Sequence, residues 1–409
     1  MHPYYRQLQV INISDTVTSI LRVWNAPTRQ SMKKSTQRRP TMTDIAKATG
    51  VSQSTVSLVL NGAVGAKFSE GTRKKVLKAA QELGYQLPTR ATTPAAPGER
   101  NLIVYVADEI ATSPHPVVNI DGARDAAWNN GCLLAVYSTH GNADIEQRVL
   151  RETLSNPSVL GVIYATVYTR KVTIPAALLK VPTVLLNCYA TEHTLSSVVP
   201  AEVTGGYTAT ECLTATGHRR IGFINGETWQ DAAKDRLKGY RQALATADLP
   251  FDENLVRDGD WSSGKGYELT LSLMREPNPP TAIFCANDLT AIGAIEALKQ
   301  LGLRVPEDVS VIGYDDQEIA RHTHPPLTTV VLPNYELGRW AVETLLQEEE
   351  NRSAGAPFKR RTIKLDGPLI ERASVAAACA SLNLDASATD NPGSRDRIAG
   401  DTLINILNE

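Results

Sequence analysis

The chain has 409 residues, 42% of them apolar, enough to bury a large core spread over more than one domain. Its formal charge of −2 is unevenly placed. Between Met32 and Arg90, 11 Lys/Arg stand against 3 Asp/Glu, and elsewhere 31 stand against 41, so a small basic module sits on an acidic body and meets phosphates with one end only.

The five cysteines, Cys132, Cys188, Cys212, Cys285 and Cys379, are scattered singly, with no CxxC or other metal-ligand spacing. No apolar run reaches the length of a membrane span, and no basic segment followed by an apolar stretch opens the chain. Disulfide frameworks, zinc sites and export are thereby disfavoured, and a reducing, cytoplasmic setting is expected.

Residues 1–31 have mixed character and no clear period. The first ordered signal is at Thr41, which with Asp44 three residues on makes a capping-box-like helix start. Gly50 stops that helix, because a left-handed position costs glycine little. Ser52 caps a second helix whose Val56, Val59 and Leu60 form one buried stripe, while Ser54, Leu58 and Asn61 point the other way, flanked by Thr55 and Ser57. Two short helices joined by a glycine-containing turn, the second with small polar residues outside, have the geometry of helix-turn-helix DNA recognition. A third helix is expected from Ser69 through Val76, Ala79, Ala80 and Leu83, ending at Gly84, which gives a three-helix module over residues 41–86.

The run TDIAKATGVSQSTVSLVLNG resembles, position by position, the DNA-binding headpiece of the LacI/GalR family of bacterial transcription regulators. On that footing Gln53, Ser54, Thr55 and Leu58 are expected at base edges in the major groove, and Thr41, Ser52, Ser57 and Asn61 at phosphates. Relatives usually place a polar or basic residue where Leu58 stands. An outward apolar side chain there suits a thymine methyl group. A dimer presenting two such helices prefers an inverted repeat.

The segment from Met32, MKKSTQRRPTM, resembles the usual start of family members, so residues 1–40 are read as an N-terminal extension with translation expected to begin at Met32. The intact mass of the native protein checks this. Residues 87–100 correspond to the family's hinge, which wedges a leucine into the minor groove. Here that position holds Pro94 or Ala95, and Pro94 and Pro97 disfavour a continuous helix, so an extended, semi-rigid tether is expected.

From Asn101 the period changes. Candidate strands at Leu102–Val106, Leu133–Tyr137, Val159–Tyr164, Thr183–Leu186, Ile221–Ile224, Ala282–Cys285 and Val309–Gly313 alternate with helical stretches at Val118–Asn130, Ile145–Ser155, Ala232–Thr246, Leu289–Leu301 and Glu336–Gln347. Such alternation predicts parallel sheets with helices on both faces, and about 270 residues suit two of them with a cleft between. The fold class is therefore an all-α helix-turn-helix headpiece plus an α/β domain of two doubly wound lobes.

The phrases GHRRIGFING, RLKGYRQAL, TAIFCANDLTAIGAIEALKQLGLRVPEDVSVIGYDD and PPLTTVVLPNYELGRWAVETLL are similar to the family's effector domain, itself like the periplasmic sugar-binding proteins. The resemblance covers residues 101–374 and implies one lobe at 101–201 plus 332–358 and another at 202–331 plus 359–374. Residues 375–409 are small and polar and are expected to be disordered, without the leucine heptads that make some relatives tetramers.

In open parallel sheets ligands bind beyond the carboxyl ends of the strands. Asn187, Trp261, Asn287 and Asp315 follow candidate strands, and Arg236 lies in the helix after Ile221–Ile224. Each has an ordinary reading as core, cap, turn or ion pair, but five on one rim point to a site. Resemblance makes Arg236, Trp261, Asn287 and Asp315 effector-binding positions, with Asn119 a candidate from the facing lobe. The polar groups suit a polyol and Trp261 offers a flat face to a sugar ring, although purine-binding relatives use the same positions. Relatives often carry aspartate where Asn187 stands.

No GxSxG elbow, P-loop, GxGxxG or HExxH occurs, and His322 and His324 lack a third ligand spaced near them, so neither catalysis, a metal nor a cofactor is expected. The expected function is a homodimeric, effector-responsive transcription regulator, a repressor of carbohydrate genes. The rival, a sugar-binding protein for transport, needs a signal peptide and no basic headpiece.

Overall fold

Helix starts in the N-terminal module follow from local side-chain chemistry. In the computed structural model, which describes residues 40–60, 69–85, 100–191 and 194–378, α1 (Met42–Thr49) opens on a capping box. Thr41 N–H donates to Asp44 Oδ2 at 2.8 Å, and Asp44 N–H donates to Thr41 Oγ1 at 3.3 Å. Gly50, at φ +72°, ends it.

Ser52 caps α2 (Gln53–Leu60) by accepting from Thr55 N–H at 3.0 Å, and Ser69 caps α3 (Glu70–Glu82) by accepting from Thr72 N–H at 3.0 Å. Met42, Ile45, Val56, Val59, Val76, Ala79 and Ala80 close a small core between the three helices. At about 1.5–3 kcal/mol per fully buried large apolar side chain, so few side chains leave little margin over the entropy of ordering three helices. The expectations for residues 1–39, for Asn61, for the tether at 87–99 and for the chain beyond residue 378 lie outside the described residues, as do the side chains of Thr43 and Ser54.

The first lobe contains β1 (Leu102–Ala107), α4 (His115–Asn129), β2 (Leu133–Ser138), α5 (Ala143–Leu154), β3 (Val159–Lys171), β4 (Thr183–Tyr189) and β5 (Ser196–Pro200). The second contains α6 (Glu202–Ala215), β6 (Ile221–Ile224), α7 (Asp231–Thr246), β7 (Val256–Arg257), α8 (Ser263–Leu273), β8 (Ala282–Cys285), α9 (Asp288–Gln300), β9 (Ser310–Asp315) and β10 (Thr328–Val331). The chain then returns through α10 (Asn334–Ser353) and β11 (Thr362–Leu365) to the first lobe, and ends with β12 (Leu369–Ile370) in the second.

The first sheet, in order β11-β5-β4-β3-β1-β2, is parallel throughout; the second, β12-β10-β9-β8-β6-β7, is parallel except for β12, which runs antiparallel to β10. Apolar clusters cover both faces of each sheet, as doubly wound lobes require.

Two expectations need correction. The third crossing between lobes comes after Leu365, not at residue 358. Thr362–Leu365 pairs with β5 in the register Thr362↔Ser197, and its alternation sends Ile363 and Leu365 into the first lobe's core. The segment from Val375, expected to be a free tail, is still paired as far as Ala378. Ala376 N–H donates to Ser310 Oγ, Ala378 N–H to the Thr216 carbonyl, and buried His218 holds the Ala376 carbonyl at 3.1 Å.

Reciprocal glycines fix how closely the helices pair. A Cβ on Gly122 of α4 would lie 1.9 Å from the Tyr335 carbonyl of α10, and one on Gly338 of α10 would lie 1.9 Å from the Asn119 carbonyl of α4. Gly206 and Gly239 do the same for α6 and α7, and Gly266 and Gly293 for α8 and α9.

Candidate functional site

Between the lobes lies a cavity of about 300 Å³, lined from the second lobe by Arg236, Trp261, Asn287 and Asp315 and from the first by His115, Thr169 and Asn187, among others. The sheets therefore bring five of the six sequence-predicted residues of this group together. Asn119 is not among the lining residues. It is 2% exposed in the α4–α10 packing, one turn beyond His115, where Gly338 lets α10 cross over it. His115, which no sequence signal singled out, reaches the cavity instead.

Arg236, in the second turn of α7, is almost fully buried. Its Nε donates to Glu202 Oε2 at 2.7 Å and its Nη2 to Glu202 Oε1 at 3.1 Å, while Nη1 donates to the Ala286 carbonyl. Its Cζ stacks 3.7 Å from the Tyr314 ring centroid and lies 5.4 Å from that of Trp261. Burial pulls the guanidinium pKa down, but Glu202, Tyr314 and Asp315 outweigh it and the pKa is raised.

Asp315 closes β9 with φ +107°, a conformation side chains other than glycine rarely adopt. Its Oδ2 accepts from Gln317 Nε2 at 3.2 Å and lies 3.5 Å from His115 Nε2. Its Oδ1 is buried, makes no hydrogen bond, and sits 3.8 Å from Arg236 Nη2. Burial raises the Asp315 pKa against the lowering influence of His115 and Arg236; burial and then the charge of Asp315 push Asp288, behind it, well above the usual range.

Trp261 is also left-handed, at φ +68°, and its ring lies where a Cβ on Gly226 would be 2.1 Å away; its Nε1 is buried without a partner. Asn287 serves the backbone as well as the cavity. It caps α9 by accepting from Thr290 N–H at 2.9 Å and steadies the Trp261 turn by donating to the Trp261 carbonyl at 3.0 Å.

Asn187, at φ +57°, is committed to its own lobe. Nδ2 donates to the Thr166 and Val167 carbonyls at 3.0 Å each, and Oδ1 accepts from Thr169 Oγ1. That pattern explains the asparagine, because a carboxylate could not donate to two carbonyls.

His115 links the lobes. Asn334 Nδ2 donates to its Nδ1 at 3.0 Å, which leaves the proton of the neutral ring on Nε2, facing Asp315. Tyr168 against Trp229, edge to face at 5.7 Å, Tyr189 donating to Asp231 at 2.9 Å and Lys364 at 3.8 Å from Asp235 also cross the cleft.

In the headpiece, the Thr41 and Ser52 hydroxyls serve the caps of α1 and α2, and Thr55 and Leu58 are partly exposed. Gln53 and Ser57 are buried, 8% and 1% exposed.

Comparison with known proteins gives this geometry its family. Residues 41–87 match the profile of bacterial regulatory proteins of the lacI family, and residues 210–375 match the periplasmic binding protein-like domain. The chain is 34% identical over 342 residues to the ribose operon repressor of Haemophilus influenzae, spanning 82% of this chain and 98% of that one. The chain belongs to the lacI family of bacterial regulatory proteins.

It is likewise 31% identical to the transcriptional repressor PurR of Photobacterium profundum over 338 residues, covering 82% and 98% of the two chains. Among solved structures, the lac repressor dimer bound to operator and the anti-inducer ONPF matches at 28% identity with a TM-score of 0.57, covering 83% of this chain and all of that one. The regulator CelR in complex with cellobiose matches at 31% identity with a TM-score of 0.56, covering 82% and 100%. The lacI-family chain is thus a DNA-binding transcription regulator and not an enzyme, with a helix-turn-helix headpiece on a two-lobed periplasmic-binding-like domain. Among the described residues no helix is long and apolar enough to cross a membrane.

Proposed function

We propose that this lacI-family regulator is a homodimeric repressor, acting in the cytoplasm, whose two α2 helices bind an inverted-repeat operator and whose interlobe cavity takes an uncharged polyol of about monosaccharide size. The observation that carries the ligand reading is Asp315 Oδ1, a buried carboxylate oxygen without a hydrogen-bond partner beside the cavity. A ligand hydroxyl supplies the missing donor. The volume, about 300 Å³, is at the small end of ligand pockets, and Trp261 offers a flat apolar face beside it.

Among the described residues, Glu202, Glu227, Asp260 and Asp315 line the cavity against a single arginine, Arg236, whose donors are already held by Glu202 and Ala286. A phosphate or carboxylate ligand is disfavoured by that excess. In this reading Arg236, Trp261, Asn287, Asp315 and Asn187 form the site, with His115 in place of Asn119 as a polar group beside Asn187 from the facing lobe.

On the DNA side, Gln53, Ser54, Thr55 and Leu58 meet base edges and Thr41, Ser52, Ser57 and Asn61 meet phosphates. Dimerisation is supported by Val117, Val118 and Trp128 of α4 and by Leu133, Val136 and Tyr137 of edge strand β2, all exposed large apolar side chains of the first lobe.

Selection of randomised duplex DNA by the chain starting at Met32, with and without a panel of pentoses and hexoses, tests the reading. Enrichment of an inverted repeat that one sugar abolishes or creates supports it. Enrichment of a single half-site overturns the dimer. Absence of any calorimetric binding across the sugar panel overturns the polyol.

A further inference from the structure

Part of the α2 surface assigned to DNA is covered by the chain's own effector domain, while Thr55 and Leu58 stay partly exposed. Gln53 and Ser57, one helical turn apart and therefore on one side of α2, are 8% and 1% exposed. What meets Ser57 is α10. The Ser57 hydroxyl hydrogen-bonds the carboxylate of Glu336, itself only 7% exposed, and Arg339 one turn further on reaches Tyr85, three residues past α3, with Nη2 donating to Oη at 3.4 Å. A recognition helix seated in a major groove with Ser57 at a phosphate cannot keep these contacts, because the DNA backbone and α10 need the same residue.

We propose that α10 holds the headpiece in an autoinhibited, DNA-excluding position, so that the recognition helix must leave Glu336 and Arg339 before it reads DNA. The inference rests on the assignment of α2 as the recognition helix. α10 also connects this contact to the cavity. Its first residue, Asn334, lines the cavity and donates to His115, and Glu336 is two residues on, so a ligand that moves His115 or Asn334 acts on the helix that holds the headpiece. Apparent DNA affinity is then the intrinsic affinity scaled by the undocked fraction.

The test uses the full chain, a fluorescent duplex of randomised sequence at low salt, and the variants Arg339→Ala and Glu336→Ala. Autoinhibition expects both to bind roughly tenfold more tightly than the wild type, the size of losing one charge-assisted hydrogen bond. Arg339→Ala is the discriminating variant. Removing a cation from a DNA-binding protein weakens binding if charge alone matters, whereas release of α2 strengthens it. Binding by Arg339→Ala that is equal to or weaker than that of the wild type overturns the proposal, as does absence of DNA binding by all three proteins.

A second readout survives a folding failure in either variant. In Ser57→Cys, alkylation of position 57 by a maleimide, followed by peptide mass, is expected to be slow in the DNA-free chain; labelling as fast as that of a solvent-exposed cysteine overturns the docked state.

Discussion

The second lobe meets the cavity with buried ion pairs and left-handed backbone, whereas the first meets it largely with neutral side chains hydrogen-bonded to their own strands. Arg236, Glu202 and Asp315 form a charged cluster whose members need one another, and Trp261, Asp315 and Asp316 hold positive φ angles beside it. Asn187, the one left-handed residue on the opposite wall, returns its side chain to Thr166, Val167 and Thr169. The difference teaches that one wall is costly to alter in the fold itself, while the other chiefly sets geometry toward its partner.

The contrast can be broken most directly at Arg236. Arg236→Ala leaves Glu202 buried without its cation, and urea unfolding should show a loss of about 3–5 kcal/mol. Asn187→Asp, on the other wall, should lose about 1–3 kcal/mol, because a carboxylate would face two carbonyls that have lost their donor. Equal losses in the two variants would abolish the distinction between the walls.

His115→Ala sharpens it further. Its contact to Asp315 runs between the lobes and the hydrogen bond from Asn334 within the first, so chemical denaturation should change by about 1 kcal/mol or less while calorimetry reads a Kd for the effector weakened about tenfold.

The smallest effect lies away from the cavity. From a buried position His218 donates Nε2–H to the Ala376 carbonyl and hydrogen-bonds the Thr281 and Ser310 hydroxyls, and burial lowers its pKa below the usual histidine value. The unfolded chain therefore takes up the proton first. His218 contributes its stability above about pH 6.5, and that contribution falls as pH drops from there through the lowered folded value. Urea midpoints measured from about pH 7.5 down to pH 5 should decline less steeply in His218→Gln than in the wild type.

Much of this fold was legible because the buried strands are continuous apolar runs bounded by turns. Ile221–Ile224 and Ala282–Cys285 are strands over the very residues read from the sequence. α6 was not read, since EVTGGYTATECLTA carries two glycines and no clear apolar stripe, and its helicity comes from packing Gly206 against α7. Thr362–Leu365 was assigned to the wrong lobe because four residues of alternation say that a strand exists but not which sheet edge receives it.

The cavity lining was legible where a polar residue follows an apolar run, as at Asn187, Asn287 and Asp315. It was not legible at His115, eight residues past the end of β1 in a proline-containing stretch, nor at Asn334, which opens a helix just after the chain changes lobe. Asn119 is one turn from His115 on the same helix, and sequence alone could not tell which of the two turns α10 covers.

The chain passes between lobes at residues 200–202, 331–334 and 365–369, and Pro200, Glu202, Leu332 and Asn334 from the first two passages also line the cavity. A molecule bound in this cavity, as proposed, would rest against the pivot itself. Because glycine contacts lock the helix pairs within each lobe, the lobes turn as levers, and a sub-ångström displacement at the pivot is magnified with distance along each arm.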